Sequence, residues 1–483
     1  NGLVFTGAAL VARFGLRLRD RLAVGFAAFL VGWVYIVVGL EVLGLFHQIR
    51  LGPALGLAVC GFLLGTVCWL CGRKRVGCVE RTENLDVGAL HAPYESNGGI
   101  GPLVVRISWW LAVTLAAWAS TDMLITGLCS PVQPVSDAPI YHLYFAVRWW
   151  QSGTLEIVPT PFGESAAPYF PANGDVWFTW LVLPWSSEIV VKVGQWPFLI
   201  LGMVAVYALA RELNVQPAIA TFPAALWGTG SLPLVNSSFA DVDLIMAAWC
   251  LIAVWFLVRY RREARASDLV CSALAMGAVL GTKYIAIPFL FWLVVAAAVL
   301  IWRNAARWRH FVILAAGVLL PSAYWYGRNL LLTGNPLYPL HVQVLGQTIL
   351  TGWYTRETML TSHYHIPVFP LGHGLRVLVQ ILFRLCDPIL LPLWIGGGVA
   401  AIVVAVRRRW LPAALVGLAG LHVFCYWFVN PYQTQERFLL TATGLLAVPV
   451  VLVLERWKFF CLPLASLIAW HLVVDQFDLR VST

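Results

Sequence analysis

The chain has 483 residues, 60% of them apolar and only 11% charged, with 32 Lys and Arg against 23 Asp and Glu for a net charge of +9. A soluble surface carries about a quarter charged residues, so a string of soluble domains, a disordered chain and a coiled coil are all excluded. With 24 Trp and a mean hydropathy of +0.79, the main solvent is a lipid bilayer. Most of the ten Cys lie in apolar runs, among them Cys60, Cys68, Cys250, Cys271 and Cys425. They show no Cys/His spacing suited to zinc and read as small packing residues.

In chain order, segments long and apolar enough to span a bilayer fall at 22–46, 51–71, 104–128, 187–210, 216–235, 242–258, 268–283, 285–302, 311–329, 386–406, 411–428, 438–455 and 459–474, about thirteen in all. The first is too long for a signal-peptide core and has no small-residue cleavage site after it, so it reads as a retained anchor. Basic clusters stand at Arg13–Arg21, Arg73–Arg75, Arg259–Arg265, Arg303–Arg309, Arg407–Arg409 and Arg456–Lys458. With the N-terminus in the cytoplasm, every cluster falls on the cytoplasmic face, as the positive-inside rule requires. The positive charge is then membrane topology, and no nucleic-acid partner is expected. The sequence predicts an all-α, polytopic transmembrane helical bundle. Two outer loops, 129–186 and 330–387, are rich in Trp, Tyr, Pro and His and carry interfacial helices; the loop 72–101 is cytoplasmic.

The first outer loop contains Ser136-Asp137-Ala138-Pro139-Ile140-Tyr141-His142-Leu143. Ser136 or Asp137 can cap a helix, with proline allowed in its first turn. Ile140, Leu143, Tyr144, Val147 and Trp150 follow at helical spacing, and Gly153 ends the run. This reads as an amphipathic interfacial helix. Asp137 is either an N-cap alone or an ionised group favoured by the helix dipole. Asp175, after the turn at Pro171-Ala172-Asn173-Gly174, either caps the next helix or orients Asp137 or a substrate. Asp241 and Asp243 end a short hairpin between spans. One helix cap does not account for two acids at a membrane edge, where ionisable groups are costly and often functional.

Three cations stand on the same outer side, against the positive-inside rule: Lys283 in Gly281-Thr282-Lys283-Tyr284, Arg328 in Tyr326-Gly327-Arg328-Asn329, and Arg437 in Gln435-Glu436-Arg437-Phe438. Each either snorkels to the interface or pairs with an acid, or grips a phosphate, for which a guanidinium offers a bidentate fork. Arg384 and Asp387 are spaced to pair with each other. His142, His363, His365 and His373 show no metal-ligand spacing and read as interface polar residues.

Asp137 with Tyr141-His142-Leu143 resembles the D-x-x-x-Y-H-L signature of the first outer loop of GT-C superfamily membrane glycosyltransferases, especially bacterial relatives of the dolichyl-phosphate-mannose protein mannosyltransferases. Tyr169-Phe170-Pro171 with Asp175 resembles the second half of that loop. Asp241 and Asp243 sit where relatives start a helix with Asp. Gly281-Thr282-Lys283-Tyr284 resembles the family's G-T-K-Y turn, and Arg328-Asn329 with Gly334-Asn335-Pro336-Leu337-Tyr338-Pro339 its R-N…G-N-P-x-x-P segment. Arg437-Phe438 resembles the late R-Y motif, with Phe replacing Tyr. The resemblance covers 104–483, and 1–103, with its two helices and cytoplasmic loop, looks like an addition.

The resemblance implies an integral-membrane enzyme that moves a sugar from a polyprenyl-phosphate donor to an acceptor, inverting the anomeric carbon, on the periplasmic face of a bacterial inner membrane. It implies Asp137 as base, helped by Asp241 or Asp243, with Tyr141, His142 and Asp175 lining the substrate and Lys283, Arg328 and Arg437 on the donor phosphate. No cofactor and no metal is expected, although paired acids can hold a divalent cation. Two other classes stay open: a catalytically silent subunit of a larger membrane complex with protein partners, whose fold would survive loss of chemistry, and a transporter of lipid-linked substrates, which would show midplane polar residues and repeat symmetry.

Overall fold

The computed structural model describes residues 1–76, 100–132, 136–161, 165–361, 370–386, 391–429 and 435–481. These residues are almost wholly helical; the one sheet among them is an antiparallel pair, Val342–Val344 with Gln347–Leu350. Eight helices are long and apolar enough to cross a membrane. The number is ten if two bent pairs each count as one span: Pro217–Gly228 with Ser231–Ser237, bent by 67°, and Arg307–Leu319 with Ala323–Thr333, bent by 70°. The protein is an integral membrane helical bundle.

All thirteen predicted segments meet helices, but thirteen spans exceeds what length and composition support among the described residues. The segment 268–283, for example, is the 15-residue helix Ala266–Leu280. At 1.5 Å per residue it reaches about 22 Å, short of a bilayer core of about 30 Å. The sequence reading also passed over an apolar helix at Gly2–Leu10 that widens into a π-turn at Val11–Gly15. It packs beside Leu51–Val76, and Asn1 Oδ1 accepts from Trp180 Nε1 at 2.6 Å. The first residue therefore lies against the bundle, and Arg13 marks the basic end of that helix. Most of the loop 72–101, together with His363, His365 and Asp387, lies outside the described residues.

The axis of the bundle is the helix Asp243–Glu263, whose apolar window is 94% buried. Trp249 on this helix is fully buried and meets Trp33 and Phe198, each at 5.5 Å between ring centroids. At one end, Asp243 enters the site described below. At the other end Arg259 donates to Asp268 at 3.1 Å and Arg262 to Glu212 at 2.8 Å. Twenty-one residues of α-helix rise about 30 Å, the thickness of a bilayer core.

Candidate functional site

The segment that follows Asp137 does not begin its helix as a plain α-turn. Ala138–His142 is a π-turn that runs into the α-helix Leu143–Ser152, which Gly153 ends at φ 76°. Single π-turns of this kind are frequent at functional sites. Asp137 stands at its start but makes no side-chain cap. Its Oδ2 instead accepts from the Tyr141 hydroxyl at 2.7 Å and from Arg437 Nη2 at 2.5 Å. The residue after Tyr141, His142, turns the other way, and its Nδ1 shares a hydrogen bond with Asp175 Oδ1 at 2.6 Å.

Arg437, in the short turn Glu436–Leu439, joins three acids. Besides Asp137, its Nη1 donates to Asp241 Oδ2 at 2.7 Å, and its Nε lies 3.3 Å from Asp243 Oδ2. Lys283 Nζ donates to Asp243 Oδ1 at 3.1 Å and stands 4.5 Å over the Phe438 ring. Asp243 is free for these bonds because the orphan amide of Leu244 is satisfied by Gln195 Oε1 at 2.8 Å, a cap delivered from another segment. Side-chain exposure falls from 23% at Asp137 to 16% at Arg437 and 1% or less at Asp241 and Asp243, so the cluster opens on the Asp137 side.

Two glycines let these segments meet. A methyl group on Gly174 would collide with Val242, the residue between Asp241 and Asp243. One on Gly281 would collide with the Asn173 amide and lie 2.6 Å from the Pro321 carbonyl oxygen. Asn173 is the pin: Nδ2 donates to that carbonyl at 2.7 Å, Oδ1 accepts from Trp325 Nε1 at 2.6 Å, and its backbone N–H donates to Gly281 O at 2.8 Å. It thereby fixes the wholly buried helix Asn173–Val182, which presents Asp175. Gly281→Ala is expected to lower the thermal midpoint in detergent, since overpacking of this kind costs about 1–3 kcal/mol. An unchanged midpoint would show that Asn173 can step aside.

Burial raises the carboxyl of Asp137, but Arg437 first, then Lys283, His142 and the Tyr141 hydroxyl, outweigh it and hold the group at about 2. Burial also lifts Asp241 and Asp175 above the ordinary carboxyl range, against the opposing pull of Arg437 and His142 respectively. Burial and the adjacent Asp137 push the Tyr141 phenol well up, so it remains a donor. One ring nitrogen of His142 and one carboxylate oxygen each of Asp137 and Asp241 lie within 4.8 Å of one another. No other group of three such donor atoms among the described residues is as close, and Arg437 supplies its positive charge by bonding both carboxylates.

Arg328 stands apart from this network. Its Nη2 donates to the Pro168 carbonyl at 2.8 Å and its guanidinium lies 4.8 Å over the Trp325 ring. Its Nε and Nη1 are buried without a hydrogen-bond partner. Tyr169, Tyr284, Tyr324 and Glu41 are close enough to act on its charge. Its neighbour Asn329 ties three segments, donating to the carbonyls of Tyr169 and Tyr338 and to the Tyr284 hydroxyl. Glu41 was missed in the sequence, although a carboxylate deep in the first apolar run is itself a signal; it is buried, and its Oε1 has no partner. Gln195 and Asn173 were missed too, because neither type signals chemistry on its own.

A family model described as a domain of unknown function, DUF8201, matches residues 184–364. No curated protein matches the chain. A crystal structure of ArnT from Cupriavidus metallidurans, bound to undecaprenyl phosphate, is similar in fold, with a TM-score of 0.50 and 15% identity over 71% of this chain. The match spans 60% of the ArnT chain. At this identity the likeness is one of fold, that of a helical membrane protein.

Proposed function

We propose that the protein transfers a sugar from a polyprenyl-phosphate carrier to an acceptor hydroxyl at the outer face of a bacterial inner membrane, with inversion at the anomeric carbon. The observation that carries this reading is the grip of Arg437 on Asp137, Asp241 and Asp243. Three acids from distant segments are assembled, with Lys283, at one end of a membrane bundle, where ionisable groups are expensive to keep. The fold shared with ArnT, whose structure holds undecaprenyl phosphate, supports a lipid-phosphate ligand.

The charges divide the work. Three carboxylates are ion-paired with two cations, Lys283 and Arg437, so this cluster suits a hydroxyl or a sugar better than a phosphate. The donor phosphate goes to Arg328, whose Nε and Nη1 are unused and whose planar edge fits two phosphate oxygens. Lys283 has further protons to offer the oxygen that leaves the sugar. Asp137, the most accessible acid, holds the acceptor hydroxyl with its remaining oxygen.

The test is transfer by purified protein from undecaprenyl-phosphate-linked sugars to sugar or lipid acceptors, read as labelled product. Binding of undecaprenyl phosphate without transfer from any donor would favour the silent-subunit reading. Orientation is tested in intact cells. Thiols introduced at the exposed positions Ser152 and Thr351 are expected to react with an impermeant reagent, and one at Arg408 is not. The reverse pattern would place the cluster on the wrong side of the membrane.

A further inference from the structure

Resting on the transferase reading, we infer that the proton of the acceptor hydroxyl is taken by His142 Nε2, with Asp175 holding the imidazole, rather than by Asp137. The geometry of Asp137 speaks against a base. Its Oδ2 accepts both a guanidinium N–H and a phenol O–H, and each bond stabilises the charged form and weakens its pull on a proton. Its low value, about 2, agrees with that geometry. Asp137 is built to remain an anion throughout a turnover.

His142 is built the other way. It is 4% exposed, its Nδ1 is engaged by Asp175 at 2.6 Å, and its buried Nε2 has no hydrogen-bond partner. With Nδ1 carrying the proton toward Asp175, Nε2 keeps its lone pair. A buried nitrogen with nothing bonded to it carries a desolvation cost that a purely structural histidine would avoid. With Nδ1 taken, Nε2 is the nitrogen left to serve the neighbouring cluster, and the ring lies within reach of the Asp137 and Asp241 oxygens. Asp175 carries out the second part: a buried carboxylate on a pinned helix fixes tautomer and orientation and stabilises the imidazolium that forms. The charged and titratable groups acting around His142 are Asp175, Asp137, Tyr141, Asp241, Lys283 and Arg437.

In the step itself, the acceptor oxygen forms a bond to the anomeric carbon as the bond from that carbon to the phosphate oxygen breaks. The electron pair leaves with the polyprenyl phosphate, and the hydroxyl proton passes to Nε2. Asp137 orients the hydroxyl, and the imidazolium later returns its proton to water. No oxidant, reductant or co-reactant beyond the donor and the acceptor is needed to balance it. Asp175 acts through His142 and is a positioning residue.

The test uses the full-length protein with an undecaprenyl-phosphate-linked sugar as donor. His142→Ala is expected to bind undecaprenyl phosphate as the wild type does and to lose transfer by about a hundredfold to ten-thousandfold. Added imidazole is expected to restore the rate in proportion to its unprotonated fraction. Asp175→Asn is expected to slow transfer when His142 is present, yet to add nothing to the loss in the double variant, as coupled residues do. His142→Gln, which keeps a polar side chain, reports on folding and is expected to remain slow. A wild-type rate in His142→Ala, or a loss that imidazole does not restore while binding persists, overturns the assignment. So does a wild-type activity that chelators abolish and divalent cations restore, with that response lost in His142→Gln, since His142 would then be a ligand. Absence of transfer by the wild type itself overturns the parent reading together with this one, whereas the other outcomes touch only the histidine.

Discussion

Arg437→Ala is expected to lose transfer altogether and to unfold well below the wild-type temperature in detergent. The change strands Asp241 and Asp243, whose side chains are 1% and 0% exposed, with Lys283 alone to answer them. Removing one partner of a buried ion pair costs about 3–5 kcal/mol because the remaining charge stays buried. If stranded charge is the cause, adding Asp241→Asn should recover part of the lost stability but none of the activity. Arg437→Lys separates charge from shape: one ammonium cannot serve Asp137, Asp241 and Asp243 as the planar fork does, so stability should return further than transfer. Equal stability in Arg437→Ala and wild type, measured by thermal unfolding, would remove the three-acid grip from the account.

Asp137→Asn is expected to leave a folded protein whose transfer is slower by about a hundredfold, the usual scale for a misplaced reacting group. An amide keeps the size and can still accept from Tyr141, but it gives Arg437 no charge. The stability cost depends on pH. The carboxyl is held at about 2 in the fold against an ordinary 3.8, worth about 2 kcal/mol by linkage. A depressed carboxyl stabilises the fold fully above its unfolded value and loses that contribution as pH falls through the folded one. The gap between wild type and Asp137→Asn should thus be constant above about pH 5 and should close between about pH 4 and pH 2. A gap that widens on acidification would mean that Asp137 is not the ionised partner of Arg437. Asp241→Asn is the useful contrast, because burial raises that carboxyl rather than lowering it.

The membrane bundle was legible because apolar length is a local property, and so was the separation of Asp243 from the basic cluster Arg259–Arg265 at the other end of its helix. Pairings were not legible. Asp137 and Arg437 are 300 residues apart and their contact depends on how several helices pack. The π-turn at Ala138–His142 was hidden because apolar spacing cannot tell an α-turn from a π-turn over five residues, and that turn sends Asp137 and His142 to different partners. Asp175 looked like a cap because it follows a turn, whereas its carboxylate spends its bond on His142. Lys283, Arg328 and Arg437 all read as cations at helix ends that could hold one phosphate. What separates them is the partner within reach, Trp325 and a carbonyl for one and carboxylates for the others. Length and composition support eight to ten spans among the described residues, because helices such as Ala266–Leu280 are apolar but short of a bilayer core.

The helix Asp243–Glu263 has ions fastened at both ends, to Arg437 and Lys283 above and through Arg259 to Asp268 below. It works as a caliper. Its lower jaw is locked to the neighbouring helix by that buried pair, with the exposed Arg262 beside it turned to water, so its upper jaw stands at a fixed height whatever the lipid around it. A phosphate carried on a lipid floats with the headgroups instead, and their height follows the thickness of the hydrocarbon. In a membrane thicker than the caliper a lipid-borne phosphate rides above the carboxylates, and in a thinner one it sinks past them. If the proposed lipid-phosphate donor is the substrate, acyl-chain length thereby enters the encounter as a geometric variable, without any lipid touching a residue of the cluster.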